Sequence, residues 1–168
     1  GTVSVGNDVA IGQGQQSSNT ELGQKTFDPE KAKFHLKEAG LDGLEINLSA
    51  ADAAFAGAVD AAVLFQNSAK ECGIDIKVVR EPNDGYWSDV WMKKPFVFSY
   101  WGARPTPDTI FTLGYGSKSS WNEAYWSNER FDALLAQSKA ELDDTLRAEM
   151  YREMAEIGRD DGGTVLPM

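Results

Sequence analysis

The residues with most to offer a ligand lie in one stretch, "FSYWGARPTPD", from Phe98 to Asp108. Arg104 is a permanently charged fork of donors suited to a carboxylate or a phosphate. Gly102 and Ala103 before it carry almost no side chain, which lets a ligand approach the backbone closely. Pro105 and Pro107 stiffen the loop, Tyr100 and Trp101 offer apolar or stacking walls, and Asp108 adds an acceptor. A set of this kind suits a ligand-binding loop. The same residues also fit a blander arrangement, in which Arg104 pairs with a local acid and Trp101 belongs to the core. A second aromatic group, Trp121, Tyr125 and Trp126 in "SWNEAYWSN", either lines the same cleft or forms a packed loop.

Catalytic equipment is poor by comparison. The chain has no nucleophile elbow, phosphate-cradling glycine loop, dinucleotide fingerprint or zinc spacing, so the expectation is a protein that is not an enzyme and needs no cofactor. The only histidine, His35, sits among Lys33, Lys37 and Glu38 on a helical pattern and is expected at the solvated surface, with no metal cluster around it. Glu141, Asp143, Asp144, Glu149, Glu153 and Glu156 are spread along helix surfaces, and "DDGG" at 160–163, read as a loop, lacks the alternating oxygen ligands of a calcium loop. A single cysteine, Cys72, excludes an intrachain disulfide and is expected as a buried small hydrophobe. The net charge of -10 and the pI ≈ 4.5 argue against a nucleic-acid partner, which needs a clustered basic surface.

These candidate residues need a scaffold. At 168 residues the expectation is one domain. Residues 1–25, rich in Gly, Ser, Asn and Gln, read as an extended lead-in with a short apolar pattern at Val3, Val5, Val9 and Ile11. "FDPEKAKFHLKEAG" predicts a helix capped by Asp28, with Pro29 in its first turn and Gly40 as terminator. "LEINLS" and "IDIKVV" alternate as strands, and the span from about Asp52 to Cys72 between them predicts a long helix with Phe55, Val59, Ala62 and Ala69 on one face. Strand, helix and strand make a crossover unit with parallel strands.

"DGYWSDVWMKK" predicts a short helix capped by Asn83 or Asp84, with Trp87 and Trp91 one turn apart, either packed in the core or presented as a platform. "PFVFSYW" predicts a third strand, apolar on both faces and central in its sheet. Ligands in open α/β sheets collect at the carboxyl ends of strands, which is where the loop from Tyr100 to Asp108 falls. Two further helices follow. Ser127 or Asn128 caps the first, with Phe131, Leu134, Leu135, Ser138 and Leu142 inward. Asp143 or Asp144 caps the second, with Leu146, Met150, Met154 and Ile157 inward. The final "TVLPM" resembles a strand cut short.

Taken in order, "FDPEKAKFHLKEAGLDGLEINL", "ECGIDIKVV", "FVFSYWGARPTPD", "WSNERFDALLAQSKAELDDTLRAEMYREMAEI" and "TVLPM" resemble the solute-binding proteins of peptide and nickel ABC transporters, the family 5 class. The resemblance runs from about Thr26 to Met168. It implies an α/β fold, a type II periplasmic-binding-protein-like lobe with a mixed sheet and a parallel β-α-β core flanked by helices. It further implies that residues 1–168 are the inserted, C-terminal lobe of a two-lobed clamshell, with 1–25 near one interlobe crossing and "VLPM" near the return crossing.

Function follows from the same resemblance: capture of a peptide or peptide-like solute between lobes, and delivery to the membrane permease of an ABC importer from the periplasm, or from an extracellular, membrane-anchored position. Peptide-binding members hold the α-amine of the ligand with an acid in the loop after the strand resembling "FVFSYW". Counting from Trp101, Arg104 stands at that place, with Asp108 four residues on, so the departure implies an anionic or modified solute such as an acylated peptide or an opine-like compound. The expected ligand-binding residues are therefore Tyr100, Trp101, Gly102, Ala103, Arg104, Asp108 and Trp121. The alternative reading of five tryptophans and many acids is a carbohydrate-binding or carbohydrate-active module.

Overall fold

The structure, a computed structural model, describes residues 5–12 and 22–167. Helix α1 (Pro29–Glu38) begins as its sequence dictates. The Asp28 carboxylate accepts from the Lys31 amide at 2.9 Å, Pro29 fills a position whose N–H would have no helical partner, and Gly40 leaves the helix at φ 75°. None of its residues is buried, and His35 is exposed.

Strands β1 (Leu44–Ala50) and β2 (Ile74–Arg80) pair in parallel, from Leu44 opposite Ile74 to Ala50 opposite Arg80. Between them runs α2 (Ala58–Glu71). It starts six residues later than its apolar pattern suggests. Gly57 is left-handed at φ 82°, and its amide donates to Asp52 Oδ1 at 3.2 Å, so residues 51–57 form turns in place of helix. Phe55 consequently packs outside the helix, its ring 5.4 Å from that of Phe98. Cys72 is half-buried at the helix C-cap, not fully buried.

Burial explains this crossover unit. Leu48, Ala50 and Ile76 point from the strands onto Ala62 and Ala69 of α2, with Val59 and Phe65 packed around them. A second cluster gathers Ala51, Ala54 and Ala58 with Tyr86 and Val90. Small residues on the helix face let it lie close to the sheet, and each fully buried large side chain contributes about 1.5–3 kcal/mol.

The expected third strand is not one. Val97 makes an isolated parallel bridge to Ser49, with Phe98 N donating to Ser49 O and Ser49 N to Phe96 O, both at 3.0 Å. Because β2 takes one edge of β1 and Val97 the other, β1 is the central strand and the apolar run is its flank. Residues 86–90 form a π-helical turn (Tyr86–Val90) entered through left-handed Gly85, not an α-helix capped by Asn83 or Asp84. Here Tyr86, and not Trp87, is the buried ring, at 1 % against 41 % exposure.

The chain divides into two compact units, Thr26–Gly102 and Gly1–Lys25 with Ala103–Met168. In the second, a short α3 (Pro107–Ile110) runs into a π-helical turn (Phe111–Tyr115), followed by α4 (Glu129–Ala140) and α5 (Asp144–Asp161). Asn128 caps α4 through the Phe131 amide and Asp143 caps α5 through those of Thr145 and Leu146, as the sequence suggests.

Phe131, Leu134, Leu135 and Ser138 are buried, but α4 stops at Ala140 and leaves Leu142 94 % exposed. In α5 the inward face is Tyr151, Met154, Ala155 and Gly158; Leu146 is exposed, and Met150 and Ile157 are half-buried. The helix continues through Asp161, so only Gly162 and Gly163 of "DDGG" lie beyond it. "TVLP" is not a strand, although Pro167 O accepts from Gly6 N at 2.8 Å and Leu166 N donates to Asp8 Oδ1 at 2.7 Å. Of the lead-in, Ile11 is buried and Val5 exposed; Val3 lies outside the described residues.

Candidate functional site

The boundary between the two units falls inside the stretch singled out for ligand binding, between Gly102 and Ala103. Each side is built differently.

In the first unit, Tyr100 and Trp101 leave the Val97 bridge at the carboxyl edge of the parallel pair. Trp101 is half-buried, Gly102 exposed, and Tyr100 61 % exposed. The Tyr100 ring meets Trp87 edge-on at 5.6 Å, and Trp87 meets Trp91 at 6.0 Å, a ladder of three aromatics on one face. Beneath it Tyr86 Oη donates to Phe98 O at 2.7 Å, which fixes the backbone just before Tyr100.

The same edge holds a buried polar group that periodicity does not reveal. Ser49 is 3 % exposed; its hydroxyl donates to Glu81 Oε1 at 2.7 Å, and Lys94 Nζ reaches the same oxygen at 2.5 Å. These bonds, Lys94 first and Ser49 second, hold the Glu81 carboxyl below the usual carboxylate range.

In the second unit Ala103 is exposed and Arg104 half-buried. Asp108 is not in a loop. It lies in the first turn of α3, where its carboxylate faces Lys139 Nζ at 3.8 Å and accepts from Thr112 Oγ1 at 3.4 Å. Burial, reinforced by the Asp108 charge, raises the pKa of the Tyr151 phenol.

The second aromatic group separates into two kinds of residue. Trp126 belongs to a packed cluster with Phe131 at 5.1 Å and Tyr115 at 6.3 Å. Trp121 is 47 % and Tyr125 73 % exposed. Between them Asn122 is buried, donating to the carbonyls of Tyr115, Gly116 and Trp126 and accepting from Trp126 N. Asn122 thus presents the exposed aromatics on a fixed turn, a role visible only once its partners are known. Among the described residues no group of His, Cys, Asp and Glu is arranged to hold a metal ion, and no helix is long and apolar enough to cross a membrane.

A parallel β-α-β core flanked by helices, with apolar and charged groups gathered where the strands end, is the mixed α/β fold of the type II periplasmic binding proteins. The family model of bacterial extracellular solute-binding proteins, family 5 Middle, matches residues 1–123, and the chain belongs to that family. It is 27 % identical over 157 residues to the dipeptide-binding protein of Escherichia coli (strain K12), covering 84 % of this chain and 28 % of that protein. To the di/tripeptide-binding protein 2 of Pseudomonas aeruginosa (strain UCBPP-PA14) it is 26 % identical over 143 residues, covering 78 % and 26 %. The chain therefore spans about a quarter of the length of these curated relatives. Among solved structures, the binding protein MoaA of A. tumefaciens R10, in complex with mannopinic acid, superposes with a TM-score of 0.81 at 20 % identity, covering 94 % of this chain and 33 % of that one; at this identity the likeness concerns the fold.

Proposed function

We propose that this chain is the inserted lobe of a solute-binding protein that serves an ABC importer, capturing a peptide or peptide-like solute and delivering it to the membrane permease from the periplasm or the outer face of the cell. The family-model match over residues 1–123 carries this reading, and the two peptide-binding relatives support the solute class. The lobe arrangement draws support from the second unit, in which Gly6 and Asp8 lie hydrogen-bonded beside Leu166 and Pro167, as two neighbouring crossings require. Tyr100, Trp101, Gly102, Ala103, Arg104, Asp108 and Trp121 are the residues assigned to the solute.

Such a protein works by a shift in population. Contacts from two lobes favour the closed form over the open one, and closure creates the surface that the permease reads. No covalent bond is made or broken. One lobe offers part of the contacts, so the 168-residue chain alone binds its solute weakly, and micromolar affinity by calorimetry would contradict the two-lobed mechanism.

The solute is anionic or modified. Arg104 stands where an acid would meet a free α-amine, and a guanidinium repels that amine while it attracts a carboxylate. Asp108 in α3 already faces Lys139. The deciding experiment is native mass spectrometry of the full-length protein as isolated, which weighs the trapped solute directly. Tight binding of free-amine dipeptides that is lost in Asp108→Ala but kept in Arg104→Ala would overturn the anionic assignment and leave the transport role in place.

A further inference from the structure

The first unit contains a cavity apart from the Tyr100–Asp108 stretch. Arg80 closes β2 opposite Ala50, the last residue of β1, and just beyond these two carboxyl ends lies a cavity of ≈ 230 Å³ lined by Ala51, Asp52, Arg80, Glu81, Pro82 and Asn83. Parallel strands end here and loops begin, which is the place where α/β sheets receive ligands.

The polar groups lining it are unequally occupied. Glu81 is neutralised by Lys94 and Ser49. Asn83 Oδ1 accepts from the Ala53 amide at 2.9 Å, which leaves the Nδ2 donors of that side chain without a partner among the described residues. Asp52 spends one carboxylate oxygen on the Gly57 amide. Arg80 is exposed and makes no side-chain hydrogen bond or ion pair with any described residue. The unspent donors of the cavity are a five-donor guanidinium fork and an amide NH2, neither of which can accept, and they stand beside two acceptors, Asp52 Oδ2 and Glu81 Oε2, that keep no partner among the described residues.

We propose that this cavity is a carboxylate subsite, in which Arg80 anchors the anion by a forked pair of hydrogen bonds and Asn83 Nδ2 supplies a further donor. The proposal deepens the solute-binding reading and rests on it for the source of the carboxylate, which belongs to the solute. Asp52 opposes the anion through its remaining charge, so the subsite favours a single carboxylate over a densely charged group such as phosphate.

The test is a titration of the 168-residue chain with succinate in low-salt buffer, followed by proton–nitrogen NMR of the arginine Nε–H and asparagine side-chain signals. The Arg80 and Asn83 signals are expected to shift and saturate at millimolar succinate. Arg80→Gln is expected to weaken binding roughly tenfold, the loss of a charge-assisted pair of bonds. Asp52→Asn, which keeps the acceptor for Gly57, is expected to tighten it. Ethylammonium chloride at equal ionic strength is expected to give no saturable shift.

Shifts that do not saturate, that persist in an Arg80→Gln variant with a native-like spectrum, or that ethylammonium reproduces would overturn the subsite. Saturable succinate binding at Arg80, with no peptide-like solute ever found on the full-length protein, would instead overturn the transport reading and leave the subsite standing.

Discussion

The indole N–H of Trp126 donates to Asp161 Oδ2 at 3.0 Å, joining residues 35 positions apart, and Asn128 Nδ2 reaches the same oxygen at 3.1 Å. The N-cap residue of α4 and an aromatic of the packed cluster are thereby tied to the last residue of α5. These bonds, Asn128 first, hold the Asp161 carboxyl below the ordinary aspartate range. A carboxylate whose pKa is lower folded than unfolded lends stability above its unfolded value, lost as pH falls through its folded value. The urea midpoint of the native chain is therefore expected to exceed that of Asp161→Asn at neutral pH, with the gap closing below the aspartate range. A gap independent of pH would refute the assignment.

Glu81 is tied to both Lys94 and Ser49, with its side chain 10 % exposed. Glu81→Ala strands the buried Ser49 hydroxyl and the Lys94 ammonium, and is expected to cost about 1–3 kcal/mol in denaturant unfolding. The Glu81 carboxyl is also depressed, so the difference between native and variant is expected to shrink as acid protonates it.

Asn122→Ala removes the side chain that satisfies the carbonyls of Tyr115, Gly116 and Trp126. Its expected cost is about 2–3 kcal/mol. Asn122→Asp is expected to cost more, because it sets a carboxylate oxygen against those three carbonyl oxygens, and equal melting temperatures for the two variants would count against this geometry.

A Cβ on Gly6 would stand 1.9 Å from Leu166 O, a distance that backbone atoms cannot yield without moving. Gly6→Ala is expected to break the Gly6–Pro167 hydrogen bond and to speed hydrogen exchange at Gly6 and Leu166, while the amides of β1 and β2 stay protected. Unchanged exchange at Leu166 would show that the two segments are not so closely apposed.

Much of the scaffold was legible because the determinants act over a few residues. Asp28, Pro29 and Gly40 bound α1 through caps and backbone preferences within one turn, and Asn128 and Asp143 open α4 and α5 in the same way. The alternation of Leu44, Ile46 and Leu48, answered by Ile74, Ile76 and Val78, is a period-two pattern that survives in the parallel pair. Where a local rule competed with another, the pattern misled: Gly57 at φ 82° and the turn closed by Asp52 shorten α2 despite the apolar spacing of Phe55 with Val59.

The candidate site was legible as a list of residues and not as an arrangement. Nothing between Tyr100 and Asp108 announces that the chain passes from one unit to the other at Gly102, or that Asp108 begins a helix facing Lys139. Composition alone does not distinguish Trp87 from Tyr86 or Trp121 from Trp126. Tyr86 is buried and Trp126 is half-buried in its cluster because Phe98 O, or Asp161 with Phe131, is there to receive the ring. By itself the sequence determined the crossover unit, the helix caps and the resemblance to a binding-protein family, since these rest on neighbours along the chain. Only the tertiary structure decided which polar groups are spent on one another and which, like Arg80, keep their donors, because hydrogen-bond partners 12 to 35 residues apart leave no period in a sequence.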